Sequence, residues 1–302
     1  MIKRLVSLGS VIVDLVLDIP RLPDRGGDVL ASQRGLAAGG AFNVLSAAAR
    51  LGLPGIYAGP HGTGRFGDLV RAALAGEGVG ISRPPNPRLD TGWTLALVEA
   101  DGERTFVTVT GADAQVDSDA LRPIRYERGD AVYVSGYDLA YPGAGAAIAD
   151  HVAALRRDLI VVLDPGPLAA DIEVERLEAA LHRTDILSLS KREVELLGGL
   201  DAVMKRVRPA ATVIVRHGAD GATIHTAMSE PLSIPAVTVQ AVDSSGAGDV
   251  HVGANLAGLA RGMSWPDAVL FANRAAAYAV SRPGPAAGPT DEQLQQFGAA
   301  LW

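Results

Sequence analysis

The sequence has no cysteine. That excludes disulfide frameworks and thiolate metal sites, and it fits a reducing compartment. Long apolar runs are missing as well: no stretch reaches the ~18 uninterrupted apolar residues of a membrane span, so a soluble, cytoplasmic protein is expected. A basic surplus is also lacking. Lys and Arg number 27 against 34 Asp and Glu, the net charge is -7, and no long basic block occurs. A nucleic-acid footprint is thereby excluded, and a small molecule is the expected partner. The start, Met1-Ile2-Lys3-Arg4 followed by apolar residues, lacks a small-residue cleavage site and is interrupted by Asp14 and Asp18. It reads as an opening strand rather than a signal peptide. What is present is 302 residues, enough for one large α/β domain with a small appendage and a sizeable core.

The chain is organised around Asp243-Ser244-Ser245-Gly246-Ala247-Gly248-Asp249, between the strand-like run Val237 to Val242 and a helix-like run, Val250 to Ala260. A glycine-rich turn that opens a helix aims several backbone N–H groups at one point, where they can neutralise an anion. Asp249 in that nest feels the positive helix end, which favours an ionised carboxylate able to accept a proton. A base for a hydroxyl beside donors for a moving phosphate is the combination that phosphoryl transfer to an alcohol needs.

Read from the start, Val6 to Val13 is short, β-branched and almost continuously apolar, the pattern of a buried parallel strand, and Asp14 ends it where open α/β sheets hold ligands. Residues 15–36 carry Pro20, Pro23, Gly26, Gly27 and Gly35, so they read as a strand pair rather than a crossover helix. Ala38-Gly39-Gly40-Ala41-Phe42-Asn43 then leads into a helix, Val44 to Leu51, stopped by Gly52. Adjacent glycines let a ligand approach the backbone, and Asn43 offers an amide on the first turn. Close helix–sheet packing accounts for the same small residues. Gly62-Thr63-Gly64-Arg65-Phe66-Gly67 spells the dinucleotide fingerprint before a helix, but Pro84, Pro85 and Pro87 stand where the next strand and its ribose-binding acid belong.

Thr91 to Glu99 and Arg104 to Thr110 alternate around Asp101-Gly102, a hairpin signal. This second strand pair completes a lid with residues 15–36. Beyond Asp113 strands and helices alternate: Ala131 to Val134, Leu159 to Leu163, Asp185 to Leu189 and Thr212 to Val215 as strands, with helices at Ala144 to Leu155 and Glu193 to Leu197. Such repeats imply a mainly parallel sheet covered on both faces. Arg216 to Gly221 turns into a hairpin, and His217 reads as a structural histidine, because no second ligand has metal spacing beside it. Trp265 to Val280, carrying Asn273, and Asp291 to Leu301 read as closing helices.

Two signatures now coincide in order and spacing. Ala38 to Asn43, continuing through Arg50-Leu51-Gly52, resembles the first signature of the ribokinase-like (PfkB) carbohydrate and nucleoside kinases. Asp243 to Asp249 resembles their second, usually D-T-x-G-A-G-D. Weaker matches lie between: Gly9-Ser10 through Asp14, Gly64 to Gly67, Asp101-Gly102-Glu103-Arg104, Ser135-Gly136, Asp164-Pro165 and Gly218-Ala219-Asp220-Gly221.

The resemblance implies a three-layer α/β sandwich over residues 1–302, with a β lid from about 15–37 and 90–113. It implies Asp249 as base, with the N–H groups of Gly246, Ala247 and Gly248 as anion hole. Asp14, Gly39, Gly40 and Asn43 hold the acceptor, and Ser190, Arg216, Gly218, Gly221, Gly248 and Asn273 border ATP. Glu193 matches the acid associated with the water shell of Mg2+, and Asp243 and Ser245 match positions linked in some members to a monovalent cation such as K+. The expected activity is ATP-dependent phosphorylation of a primary hydroxyl on a ribose- or fructose-like sugar. A nucleoside acceptor is the alternative within the family and a silent sugar or nucleotide sensor the alternative outside it, while the edges and outer face of a lid sheet leave a homodimer through the lid and a monomer both open. The sequence departs from the family pattern at Ser190, which replaces the Asn of N-x-x-E. Compared with ribokinases, Ala38 stands for Gly, Gly40 for Lys and Ile12 for Asn.

Overall fold

The computed structural model describes residues 1–299. Its strands are β1 (Arg4–Ser7), β2 (Val11–Asp18), β3 (Ser32–Gly40), β4 (Gly55–Tyr57), β5 (Gly80–Ile81), β6 (Trp93–Val98), β7 (Arg104–Val109), β8 (Asp130–Ser135), β9 (Ile160–Asp164), β10 (Ile186–Ser190), β11 (Thr212–Arg216), β12 (Ala222–Thr226) and β13 (Ser229–Ile234). The helices are α1 (Ala41–Arg50), α2 (Arg65–Gly76), α3 (Ser118–Leu121), α4 (Gly136–Ala140), α5 (Gly145–Ala153), α6 (Val174–Arg183), α7 (Lys191–Leu196), α8 (Leu200–Arg206), α9 (Ala247–Ala260), α10 (Trp265–Val280) and α11 (Asp291–Ala299). The expected final helix ran to Leu301, and its end lies outside the described residues.

Two sheets form. The larger has nine strands in the order β13-β12-β11-β10-β9-β8-β1-β4-β5, parallel from β11 to β5 with an antiparallel β12–β13 edge. Its central strands are short apolar runs because both faces are covered, so successive residues serve opposite cores. Leu5, Ala131 and Val162 join the layer containing Leu45, Leu256 and Ala272, whereas Val6, Val132 and Val161 join the layer containing Ile148, Leu177 and Val203. The three-layer architecture expected from the alternating pattern is therefore present.

The smaller sheet, of order β3-β2-β6-β7, is the lid. β6 alternates half-buried and buried residues along its length, and the outer strand β7 leaves Phe106, Val107 and Val109 exposed.

Two expectations fail. Val6 to Val13 is not one strand: Leu8, Gly9 and Ser10 separate β1 in the large sheet from β2 in the lid, and Asp14 lies inside β2 rather than at a strand end. Apolar runs cannot reveal a change of sheet when both pieces are buried. Val237 to Val242 is not a strand either; it is a connection beyond β13, with Val242 exposed.

Candidate active site

Parallel strands end on a common edge, so their last residues gather there without being near in sequence. Ser135 of β8 is in register with Asp164 of β9, and Ser190 of β10 with Arg216 of β11. Arg216 Nη1 lies 2.8 Å from Asp164 Oδ2 and also donates to Ser188 Oγ, while Nη2 is 3.5 Å from Glu193 Oε2. Burial favours the neutral guanidine, but Asp164 and Glu193 outweigh it and keep Arg216 charged. Glu193 is pushed up by burial and by Asp164, against the pull of Arg216. Ser190, in place of the family's Asn, makes a capping box at the start of α7. Its Oγ accepts the Glu193 N–H at 3.3 Å, and the Glu193 carboxylate accepts the Ser190 N–H at 2.7 Å.

Above this edge sits the first turn of α9. Gly246 caps it at φ 69°, and an added Cβ would lie 2.2 Å from Pro285 O, so only glycine fits. The Ala247 N–H, expected in the anion hole, turns back to Ser244 O at 3.3 Å. Those of Gly246, Gly248 and Asp249 have no backbone or side-chain acceptor among the described residues. Gly248 packs on the guanidinium of Arg216, its Cβ position 3.3 Å from Cζ.

Asp249 Oδ2 receives Asn43 Nδ2 at 3.0 Å, which joins the first turns of α1 and α9. Burial pushes the Asp249 carboxyl up to about 7; the Asn43 hydrogen bond and Arg216 pull it down, and Asp164 and Asp14 raise it. The helix end was expected to keep this group ionised outright, but desolvation and the neighbouring carboxylates outweigh that effect. The result is a base whose pKa lies near neutrality.

Asn43 Oδ1 is buried without a partner. Asp14 accepts no hydrogen bond among the described residues, and burial pushes it up to about 6. Gly39, opposite Ile12 in the β2–β3 ladder, leaves room for the Asp14 carboxylate: a Cβ there would sit 1.9 Å from Asp14 Oδ2. Gly40 turns the chain at φ 62° against Ser10 O. Two unsatisfied acceptors beside a near-neutral base call for a ligand rich in O–H donors.

The remaining expected residues fall in two groups. Gly218 opens a short turn at φ 61°, and Gly221 lets Ile234 O come within 2.2 Å of its Cβ position. Asn273 is buried, donating to Pro235 O at 2.9 Å and facing His251 at 3.1 Å, so it fixes the segment after β13. His217 meets Thr223 Oγ1 at 2.9 Å, as a structural histidine would. Asp243 is buried; its carboxylate accepts from Ser245 N at 2.9 Å and Gly284 N at 3.2 Å, and faces Arg104 of β7 at 2.7 Å. Burial raises this carboxyl, but these donors hold it below its ordinary value. At the glycine fingerprint 62–67 a carboxylate of the chain itself occupies the start of α2: Asp90 takes the N–H groups of Phe66 and Gly67 at 3.1 and 2.7 Å.

Three residues of this region escaped the sequence reading as site members: Asp164, Arg104 and Tyr137. Asp164 had a usable signal, an acid at the end of a buried strand. Tyr137, on the first turn of α4, is pushed up to about 12 by burial and by Asp249, Asp14, Asp164 and Glu193. Its sequence neighbourhood carries only the weak match at Ser135-Gly136, which does not single out the tyrosine.

Comparisons with known proteins give the family. The profile of the pfkB family carbohydrate kinases matches residues 2–292. The chain is 35% identical over 302 residues to the uncharacterized sugar kinase YegV of Escherichia coli, covering 97% of this chain and 93% of that one. It is 29% identical over 301 residues to the ATP-dependent ribose-1-phosphate kinase of Halopiger xanaduensis, covering 97% of each. The structure of Arabidopsis thaliana ribokinase complexed with ribose and ATP superposes with a TM-score of 0.80 at 24% identity, covering 98% of this chain and 99% of that one. The chain therefore belongs to the pfkB family of carbohydrate kinases, phosphotransferases whose acceptor is a hydroxyl group.

Proposed function

We propose that this chain transfers the γ-phosphoryl group of ATP to the primary hydroxyl of a small, ribose- or fructose-like sugar. The carrying observation is Asp249: a carboxyl held near neutrality, bonded to Asn43, on a helix turn where the N–H groups of Gly246, Gly248 and Asp249 have no acceptor among the described residues. Asp249 takes the proton of the acceptor hydroxyl as its oxygen attacks the γ-phosphorus. The new O–P bond forms as the bond to the ADP oxygen breaks, and the N–H groups of Gly246, Gly248 and Asp249 hold the charge on the moving phosphoryl oxygens. Asp14 and Asn43 Oδ1 receive other hydroxyls of the sugar and so orient it. The lid sheet lies over this space and excludes water.

The residues present fit Mg2+ held through water, since two carboxylates, Asp164 and Glu193, face the single guanidinium of Arg216 and are not neutralised by it. Asp164 and Glu193 are oxygen donors on the edge where the phosphates arrive, and the described residues form no cage of three or more metal-ligating side chains. When bound with ATP, the ion supplies charge neutralisation at the phosphates. Arg216 balances part of the acidic cluster and keeps Asp164 and Glu193 in place.

An ADP-release screen over pentoses, hexoses, ketohexoses and nucleosides tests this reading. A sugar is expected to give turnover that Asp249→Asn removes; turnover with nucleosides alone, or with none of the panel, would overturn it.

A further inference from the structure

Arg104 is the first residue of β7, and its side chain leaves the lid for the signature loop. Nη2 lies 2.7 Å from Asp243 Oδ1 and Nη1 lies 3.5 Å from Ser244 Oγ. The pair is largely shielded from water, with side-chain exposures of 24% for Arg104 and 9% for Asp243. Asp243 is otherwise satisfied from within: Ser245 N donates to the oxygen that meets Arg104, Gly284 N donates to the other, and the Asp243 N–H reaches Val280 O at 3.1 Å. Family resemblance placed a monovalent cation at Asp243 and Ser245. The residues present do not fit one. A guanidinium already contributes one positive charge at hydrogen-bond distance, and a second cation on the same carboxylate would meet its repulsion.

We propose that Arg104 is the cation of the Asp243 loop, a lid-borne positioning residue that makes phosphoryl transfer independent of added potassium. Asp243 ties the turn that precedes Gly246 to the segment ending α10, and Gly246 starts the helix carrying the free N–H groups and Asp249. A fixed guanidinium there holds that turn as a bound ion would, with one difference. The charge comes from a strand of the lid, 139 residues away in sequence, so the turn is braced only while the lid is down. Arg104, at the start of β7, thereby connects lid position to the geometry of the anion site.

This inference rests on the proposed phosphoryl transfer, and its test includes a readout that does not. Turnover and unfolding temperature are measured in potassium, sodium and choline chloride at one ionic strength, for the wild type, Arg104→Ala and Arg104→Lys. The wild type is expected to show the same turnover in all three salts, within about twofold, and the same unfolding temperature. Arg104→Ala is expected to lose about tenfold or more in kcat with a smaller change in acceptor KM, and its unfolding temperature to rise in potassium over sodium. Arg104→Lys, which keeps the charge, is expected to recover most of kcat and to stay indifferent to the ion. Potassium activation of the wild type of about fivefold or more over sodium, or an Arg104→Ala variant with undiminished kcat, would overturn the proposal. If no acceptor gives turnover, the proposed function fails while the melting comparison still decides. A potassium response confined to Arg104→Ala supports the Arg104 assignment, and an equal response, or none, in both proteins rejects it.

Discussion

Asn43 Nδ2 donates to Asp249 Oδ2 at 3.0 Å across 206 residues of sequence, so the amide of one signature holds the carboxylate of the other. The two motifs are one device. The first holds the carboxylate that the second presents and favours its ionised form against the burial that raises its pKa.

Replacement of Asp249 by Asn is expected to lower kcat by about 10²–10⁴ while leaving ATP binding in place. The same change is expected to raise the unfolding temperature at pH 8 more than at pH 5. The folded-state pKa, about 7, lies above that of an unfolded carboxyl. The native state therefore binds the extra proton, and stability falls as pH rises from the unfolded value towards 7. Removing the titrating group removes that loss. Calorimetry at the two pH values, beside steady-state kinetics, checks both halves.

The pH dependence of kcat/KM reports the same carboxyl. Activity is expected to rise through about pH 7, the value at which Asp249 loses its proton in the free enzyme. In Asn43→Ala the donor that favours the ionised form is gone. A hydrogen bond to a charged group contributes about 1.5–3 kcal/mol, so the midpoint should move up by about one to two pH units. A profile that stays where it was would disconnect Asn43 from the base.

Gly39→Ala places a methyl 1.9 Å from Asp14 Oδ2, which must swing away. Acceptor KM is expected to rise by about tenfold or more with kcat less affected, because an orienting contact is lost while the base remains. Kinetics with a saturating second substrate separate the two effects.

Ser190→Ala removes the cap of α7 and frees the Glu193 carboxylate from its reciprocal bond. A loss of about 1 kcal/mol is expected, a fall of roughly 1–2 °C in unfolding temperature for a chain of this size. Ser190→Asn restores the residue usual in the family and, since Asn caps as well as Ser, should melt within about 0.5 °C of the wild type. Differential scanning calorimetry distinguishes these outcomes.

The nature of the fold and the two motifs that meet at the candidate site were legible in the residues. Buried strands at Ala131 to Val134 and Leu159 to Leu163, the hairpin around Asp101-Gly102, the long helix Trp265 to Val280 and the glycine turn before Asp249 all follow from local pattern, because burial, turn chemistry and helix capping act over a few neighbouring residues. Strand β2 was misread because its apolar character serves the lid as well as it would serve the main sheet. The connection 237–242 was misread because apolar composition is not pairing.

Determined by the sequence alone were the alternation that makes a parallel sheet, the anion-binding helix start, and the presence of Asp14, Asn43 and Asp249 in a kinase-like order. Decided only by the tertiary structure were the relations among residues far apart in the chain: Asn43 on Asp249, Arg216 between Asp164 and Glu193, Arg104 on Asp243. The charge state of Asp249 belongs with these. A helix end close by in sequence favours the ionised form, but desolvation by the surrounding chain and the fields of Asp164 and Asp14 set the balance, and no local pattern carries that information.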